Sequence, residues 1–425
     1  MKKILPAALL ALRVSLGSLG GAEITVSNLE LASRAGMEGG DFALRSSLDA
    51  DIALSGGYKY SITLGLGAEI PNLEKALSYG RLDLPYTAAA SPSDVEYNAL
   101  VDEVNDRYNN QAVIAIRSVK ATVREVLGQP LEISFFLGRG DKLGSGDEFQ
   151  ERFGTVPIGT DLKGFFYYPE GLGEGIYADP LLRFDGGIHR ITGTGLAFTA
   201  GFWDRVVPTL YVYHDLSFRP SPLRPNPPDL GYLPGRYSAD FRLLVSGETA
   251  KIEFFSGMTW VNDGDPVLRG GVLAYFGSGP LGLLLQAGIP YWEAGSGMDI
   301  DHCYFLMEPR FRSDRFGAIL TLFYRPVYYL NREILDENGD RDRGRADINL
   351  KVFYGDLVRT SFEAGLESSL GLRVHDGESL NLWVSPFVSA ATSGLLWDFK
   401  VRVNLLYWLE GGDAAEGFVG VRTAY

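Results

Sequence analysis

One cysteine, Cys303, occurs in the 425-residue chain, so no intramolecular disulfide can form. No cysteine lies near the N-terminus, which leaves no residue to carry a bacterial lipoprotein's lipid. Beyond the N-terminal region no uninterrupted apolar run reaches the about 18 residues of a membrane-spanning helix. Basic residues are also in deficit: 39 Lys and Arg stand against 53 Asp and Glu, a net charge of -14. Nucleic-acid binders are normally basic, so that class is set aside. Histidine is scarce, at His189, His214, His302 and His375, and no GxSxG motif is present. His214-Asp215 and Asp301-His302 are adjacent pairs, but nothing fixes a serine beside either, and no catalytic residue or enzymatic step is assigned.

What the chain has in plenty is glycine, at 52 residues, with 22 tyrosines and 24 phenylalanines. Abundant aromatics with glycine for tight turns favour sheets. Segments with apolar residues at every second position recur from end to end. In "WDFKVRVNLLYW", residues 397–408, Trp397, Phe399, Val401, Val403, Leu405 and Tyr407 alternate with Asp398, Lys400, Arg402 and Asn404. Leu406 and Trp408 break the polar face at its far end. Leu48, Ala50, Ile52 and Leu54 alternate with Asp49 and Asp51, and Ser55-Gly56-Gly57 turns into Tyr58, Tyr60, Ile62 and Leu64. A second hairpin carries Tyr237, Ala239, Phe241, Leu243 and Val245, turns at Gly247-Glu248, and returns through Ile252, Phe254, Met258 and Trp260. Between 112 and 124 the alternation slips by one near Arg117, the mark of a β-bulge.

Many of these segments run to about ten residues or more, against about 5–6 for strands of soluble proteins and about 9–11 for a strand crossing a bilayer. Trp397 and Phe399 at one end of an aliphatic band, with Tyr407 at the other, are the placement that headgroup regions select. The last nine residues, "GFVGVRTAY", put Val419, Val421, Thr423 and Tyr425 on one face and end on an aromatic. This resembles the C-terminal strand of Gram-negative outer-membrane β-barrels, which their assembly machinery reads. Thr423 departs from the pattern, since those proteins usually have a hydrophobic residue there. The resemblance covers nearly the whole chain as an architecture, porin-like and without a particular subfamily. It implies an all-β fold: a transmembrane antiparallel barrel of about 16–18 strands with one helix-containing insertion.

The N-terminus reads as a secretory signal. Lys2 and Lys3 precede an apolar stretch at 4–12, and Gly20 and Ala22 sit three and one residues before a cleavage point ahead of Glu23. Residues 1–22 are thus expected to be a signal peptide and 23–425 a single barrel domain. Residues 71–110 form a helix-bearing insertion, because Ser91-Pro92 opens an amphipathic face of Tyr97, Leu100, Val101, Val104 and Tyr108. That insertion either enters the pore or makes a surface excursion. Residues 218–235, "FRPSPLRPNPPDLGYLPG", form a Pro-rich loop.

Two candidate sites emerge. "DENGDRDRGRAD", residues 336–347, is similar to calcium loops of the D-x-N-G-D type, offering Asp336, Asn338, Asp340, Asp342 and Asp347. Arg341 stands where the turn glycine belongs, Arg343 and Arg345 add positive charge, and position twelve is Asp rather than Glu, so a plain charged loop competes with calcium. The other candidate is the polar face of the strands: Arg242, Lys251, Glu253, Lys351, Glu363, Glu367, Asp398, Lys400, Arg402 and Asn404. These either set a transverse field across a pore or simply solvate a wide lumen. The expected function is passive diffusion of small solutes through a charged lumen in the bacterial outer membrane. The expected partners are membrane lipid, the barrel-assembly machinery and small solutes. A hydrophobic-solute transporter with a plugging insertion, or a display barrel without conductance, are the alternatives.

Overall fold

In a computed structural model of the chain the described residues are 23–38, 41–70, 113–162, 186–216, 236–261, 265–295, 297–298, 300–325, 345–357, 361–373, 381–409 and 415–423. Eighteen strands cover most of them. They are β1 (Glu23–Glu38), β2 (Asp41–Ser55), β3 (Tyr60–Ile70), β4 (Val113–Val123), β5 (Leu131–Leu143), β6 (His189–Ala200), β7 (Val206–Asp215), β8 (Arg236–Ser246) and β9 (Ala250–Val261). The second half continues with β10 (Val267–Ser278), β11 (Leu281–Glu293), β12 (Tyr304–Arg312), β13 (Phe316–Arg325), β14 (Arg345–Asp356), β15 (Phe362–Arg373), β16 (Asn381–Thr392), β17 (Leu395–Asn404) and β18 (Ala415–Thr423). Two short helices, α1 (Asp147–Phe153) and α2 (Leu405–Leu409), complete the set.

Each strand pairs antiparallel with its sequence neighbours, and β1 pairs with β18 from Glu30↔Arg422 to Gly36↔Glu416. The sheet is therefore a closed 18-stranded barrel with no free edge. The two rims differ. The rim between β2 and β3, β4 and β5, and so on is joined by short turns, while the opposite rim carries most of the long connections.

Alternation decides which face of each strand lies inside, and here the apolar face is the exposed one. On β17, Phe399 and Val401 are 46% and 49% exposed, whereas Asp398, Lys400, Arg402 and Asn404 are buried. The same inversion holds on β8, where Tyr237 and Phe241 are exposed while Asp240 and Arg242 are buried. A water-soluble barrel would do the reverse. An apolar outer wall on a closed barrel is the solution a bilayer demands, because lipid satisfies no backbone groups and solvates no charge. Tyr60, Phe276, Phe316, Tyr354 and Phe362 stand near the short-turn rim and Tyr237, Trp260 and Phe305 near the other. These two aromatic belts fit headgroup regions. The architecture is that of an outer-membrane barrel in contact with lipid.

Two local expectations have definite outcomes. Arg117 is the extra residue of a bulge, since Gly65 pairs with Ser118 but Leu66 with Ile116. The strand read across 397–408 stops at Asn404, and Leu405–Leu409 form α2. Asn404 causes this: its Oδ1 accepts the Leu406 N–H at 3.2 Å, caps the helix and draws the backbone off the ladder. Tyr407 therefore lies on a helix rather than in the outer belt of β17. The expected signal peptide at 1–22, the expected insertion at 71–110 and the expected Pro-rich loop at 218–235 fall outside the described residues.

Candidate functional site

The barrel's inner wall is polar, yet part of its interior is a packed core. The chain after β5 turns inward rather than away from the rim. From this segment Phe149, Ile158 and Leu162 pack against Leu244 of β8, Phe255 of β9, Leu273 of β10 and Leu306 of β12. Gly144 and Gly146 start the turn with φ of +69° and +81°, in the left-handed region that favours glycine. A Cβ on either would lie 2.7 Å from Ile188 or 2.9 Å from Ile158, so both spacing and backbone sign require glycine.

Polar wall residues hold this segment by its backbone. Glu253 accepts the Gly144 N–H at 2.8 Å and the Gly146 N–H at 3.2 Å. Gln286 donates to the carbonyls of Gly144 at 2.6 Å and Gly186 at 2.9 Å, and accepts from the Tyr304 hydroxyl at 2.7 Å. Glu308 accepts from Thr160 Oγ1 at 2.7 Å, Thr321 Oγ1 at 2.8 Å and the Asp161 N–H at 3.3 Å. Arg310 donates to the Gly159 carbonyl at 2.5 Å while its Nε donates to Glu308 at 2.7 Å. Lys351 reaches Asp161 at 3.0 Å and Glu363 at 3.2 Å. These buried polar groups are tolerated because they find such partners.

α1 sits in a charged cradle. Arg152 donates to Glu132 at 2.8 and 3.1 Å and to Glu148 at 3.2 Å. Arg242 lies 3.3 Å from both Asp141 and Glu148, and Lys120 bonds Asp141 at 2.8 Å, as does the Tyr211 hydroxyl at 2.7 Å. Glu148 raises the Glu151 carboxyl above its ordinary value. Burial by itself would raise Asp161, but Lys351 and Arg312 outweigh it and hold that carboxyl well below the usual range. The side of this segment turned away from its anchoring wall is open: Glu151 and Val156 are exposed, and Asp147 is 40% exposed. Farther along the wall, β2 and β3 present Asp49, Asp51, Ser61 and Thr63, all half-buried, while Lys120 and Arg124 belong to the α1 cradle, Arg124 bonding Glu132 at 3.2 Å.

All ten polar-face candidates point into the barrel. Glu253 holds the inward segment, Arg242 binds α1, and Lys251 lies beside Glu253 on β9. The acids do not oppose the bases across the lumen; they alternate with them along the wall. Glu367 pairs with Lys400 at 2.5 Å and accepts from Asn349 at 2.7 Å, and Glu363 pairs with Lys351. Asp398 accepts from Ser389 at 2.5 Å and pairs with Arg422 at 3.3 Å. Arg402 pairs with Glu416 at 2.8 Å and stacks 4.0 Å from the Trp383 ring. Register alone does not set these pairs: Lys351 stands opposite Glu367 on β15, yet its ammonium reaches Glu363, leaving Glu367 to Lys400. Asn404 serves α2 instead of the lumen surface.

Of the calcium candidates, Asp336, Asn338, Asp340 and Asp342 lie outside the described residues. Asp347 is buried within β14, paired with Phe323 and Gly371, so it belongs to a strand and not to a loop. Among the described residues no group of three or more His, Cys, Asp or Glu side chains is placed to hold a metal. His214 packs its ring edge-on to Tyr237, while the adjacent Asp215 accepts from Ser238 and Thr259, each at 2.8 Å.

Residues that sequence reasoning passed over do much of the anchoring: Glu132, Asp141, Glu148, Arg152, Gln286 and Glu308. Their only sequence signal is inward parity on a strand, together with "GSGDEFQERFG", a glycine turn before a helix too short to show periodicity.

No protein-family model matches the chain, and no curated protein is detectably similar. Solved structures resemble it in shape. Acinetobacter baumannii OccAB3 is 9% identical with a TM-score of 0.49, covering 95% of this chain and 98% of that one. A mutant porin of Rh. blastica is 10% identical with a TM-score of 0.43, covering 95% and 100%. Salmonella typhi OmpF in complex with daunomycin is 9% identical with a TM-score of 0.42, covering 95% and 98%.

Proposed function

We propose that this barrel is an outer-membrane channel for passive diffusion of small polar solutes. The observation that carries the reading is the inversion of the wall, charged within and apolar without, combined with an inward segment whose described residues are anchored on β5 and β8–β14. Solutes would pass between the open side of that segment, with Glu151 and the Asp147–Lys142 pair, and the half-buried polar wall of β2 and β3. Paired charges on the remaining wall keep the interior hydrated at little net electrostatic cost. Asp147 is paired with Lys142 at 2.7 Å, so the exposed Glu151 is the carboxylate that biases the route toward cations. Delivery by the barrel-assembly machinery, through β18, belongs to the same reading, and no chemical step does.

The test is ion conductance of the refolded chain in planar bilayers, with reversal potentials in a salt gradient. Stepwise conductance with cation preference is expected. Silent but folded barrels would overturn the channel in favour of a closed transporter. One observation favours that second reading: nearly every inward charge from β14 to β18 is already paired and buried.

A further inference from the structure

The short-turn rim is chemically divided. Three consecutive turns carry large apolar tips: Tyr58 between β2 and β3, Val126 and Leu127 between β4 and β5, and Phe202 and Trp203 between β6 and β7. Four others are polar or small: Gly247-Glu248-Thr249, Gly279-Pro280, Ser313-Asp314-Arg315 and Ser393-Gly394. The apolar tips are among the most exposed side chains of the molecule, Leu127 at 94% and Tyr58 at 70%. Leu127 also holds a left-handed backbone, φ 55°, beside Glu125 at 53°, a conformation costly for such residues. Phe202 and Trp203 pack edge to face at 6.0 Å. Ion pairs mark the patch: Lys59–Glu125 joins its first two turns, and Arg205–Glu248 stands where it meets the polar arc.

We propose that this arc of the rim is buried in the membrane interface, with lipid as its occupant, while the polar arc stands in water. The tips lie above the outward apolar stripes: Tyr58 runs into Tyr60 and Ile62 on β3, and Leu127 stands above Val123 on β4, with the Lys59–Glu125 pair between the two turns. That wall is the established lipid contact, so the tips extend it on one side only. Tyr and Trp supply the amphipathic bodies that headgroup regions favour. The barrel is thereby immersed unevenly, deeper along β2–β7 than along β8–β17, which tilts its axis or thickens the leaflet locally. This goes beyond conduction and does not depend on it.

The test uses single-cysteine variants of the full chain in a Cys303→Ser background, each carrying an environment-sensitive fluorophore. Leu127→Cys and Trp203→Cys report the apolar arc, Glu248→Cys and Ser393→Cys the polar arc, and Val401→Cys the mid-wall. Reconstituted in phosphatidylethanolamine and phosphatidylglycerol vesicles opened to iodide, labels at 127 and 203 should emit blue-shifted and lose iodide quenching. Labels at 248 and 393 should stay quenched. Equal quenching at 127 and 393, with the 401 label protected, overturns the proposal while the membrane-spanning reading stands; quenching at 401 overturns both. Protection at 127 that disappears as protein is diluted into lipid assigns the arc to a second copy of the chain and overturns the lipid occupant.

Discussion

Replacing Glu253 by Ala tests whether the inward segment is held by wall carboxylates. The Glu253 side chain is buried and accepts two backbone N–H groups, of Gly144 at 2.8 Å and Gly146 at 3.2 Å. Both glycines are themselves buried, so bulk solvent does not reach the two donors. Leaving a buried donor unpaired costs about 1–3 kcal/mol, so losing both costs roughly 2–6 kcal/mol, all of it borne by the packed state of the segment. At about 1.4 kcal/mol per factor of ten, the released population rises by at least about an order of magnitude. The wall itself keeps every strand pairing, so the barrel still assembles. Two readouts follow. Trypsin should cut after Arg152, which the native fold protects within α1, and open-channel current should become noisier. Glu253→Gln keeps one acceptor and should fall between the two. If Glu253→Ala barrels fold, conduct quietly and resist trypsin as the native chain does, the anchoring argument fails.

On the outer face of β17, Val401→Arg should impair assembly by roughly 2–4 kcal/mol at mid-membrane, read as lost heat-modifiable band on gels; an inward change at Ser385 to Asn should be tolerated. Gly317 lies beneath the Phe353 ring, and a Cβ there would come within 2.1 Å of it. Gly317→Ala should therefore push the ring toward the lumen, costing about 1–3 kcal/mol of stability and lowering unit conductance. Neutralising the open side with Asp147→Asn and Glu151→Gln should reduce cation preference, and an unmoved reversal potential would refute the assigned route. The segment's grip should also depend on pH in two stages. Glu151 is raised above its ordinary 4.5, so acidification toward that value protonates it, relieves its repulsion with Glu148 and tightens the segment. Asp161 is depressed, so the stability it contributes is complete above its ordinary 3.8 and fades only as pH falls below it. Hydrogen exchange of the Gly144 and Gly146 amides, measured at neutral, mildly acidic and strongly acidic pH and corrected for the intrinsic rate at each, checks that order.

Much of the wall was legible in the residues. The alternation of β8 and β17, the turns at Gly57 and Gly247, and the slip at Arg117 are local signals, because strand geometry sets every second side chain on one face. Even so, "WDFKVRVNLLYW" misled at its end, where one Asn404 hydrogen bond outweighed the continuing alternation. The partners of Glu253, Gln286 and Glu308 were not legible. Their bonds to Gly144, Gly186, Thr160 and Asp161 join groups 100 to 148 residues apart; only the Thr321 and Tyr304 contacts lie on adjacent strands.

The sequence by itself determined that this chain builds long amphipathic strands and which face of each is charged, since both follow from a period of two. Only the tertiary structure decided that 18 strands close on themselves and that the segment after β5 folds inward. It alone also decided that wall charges pair sideways along the barrel rather than across it. Register and chain entry into the lumen depend on contacts between distant residues, and no local periodicity encodes those.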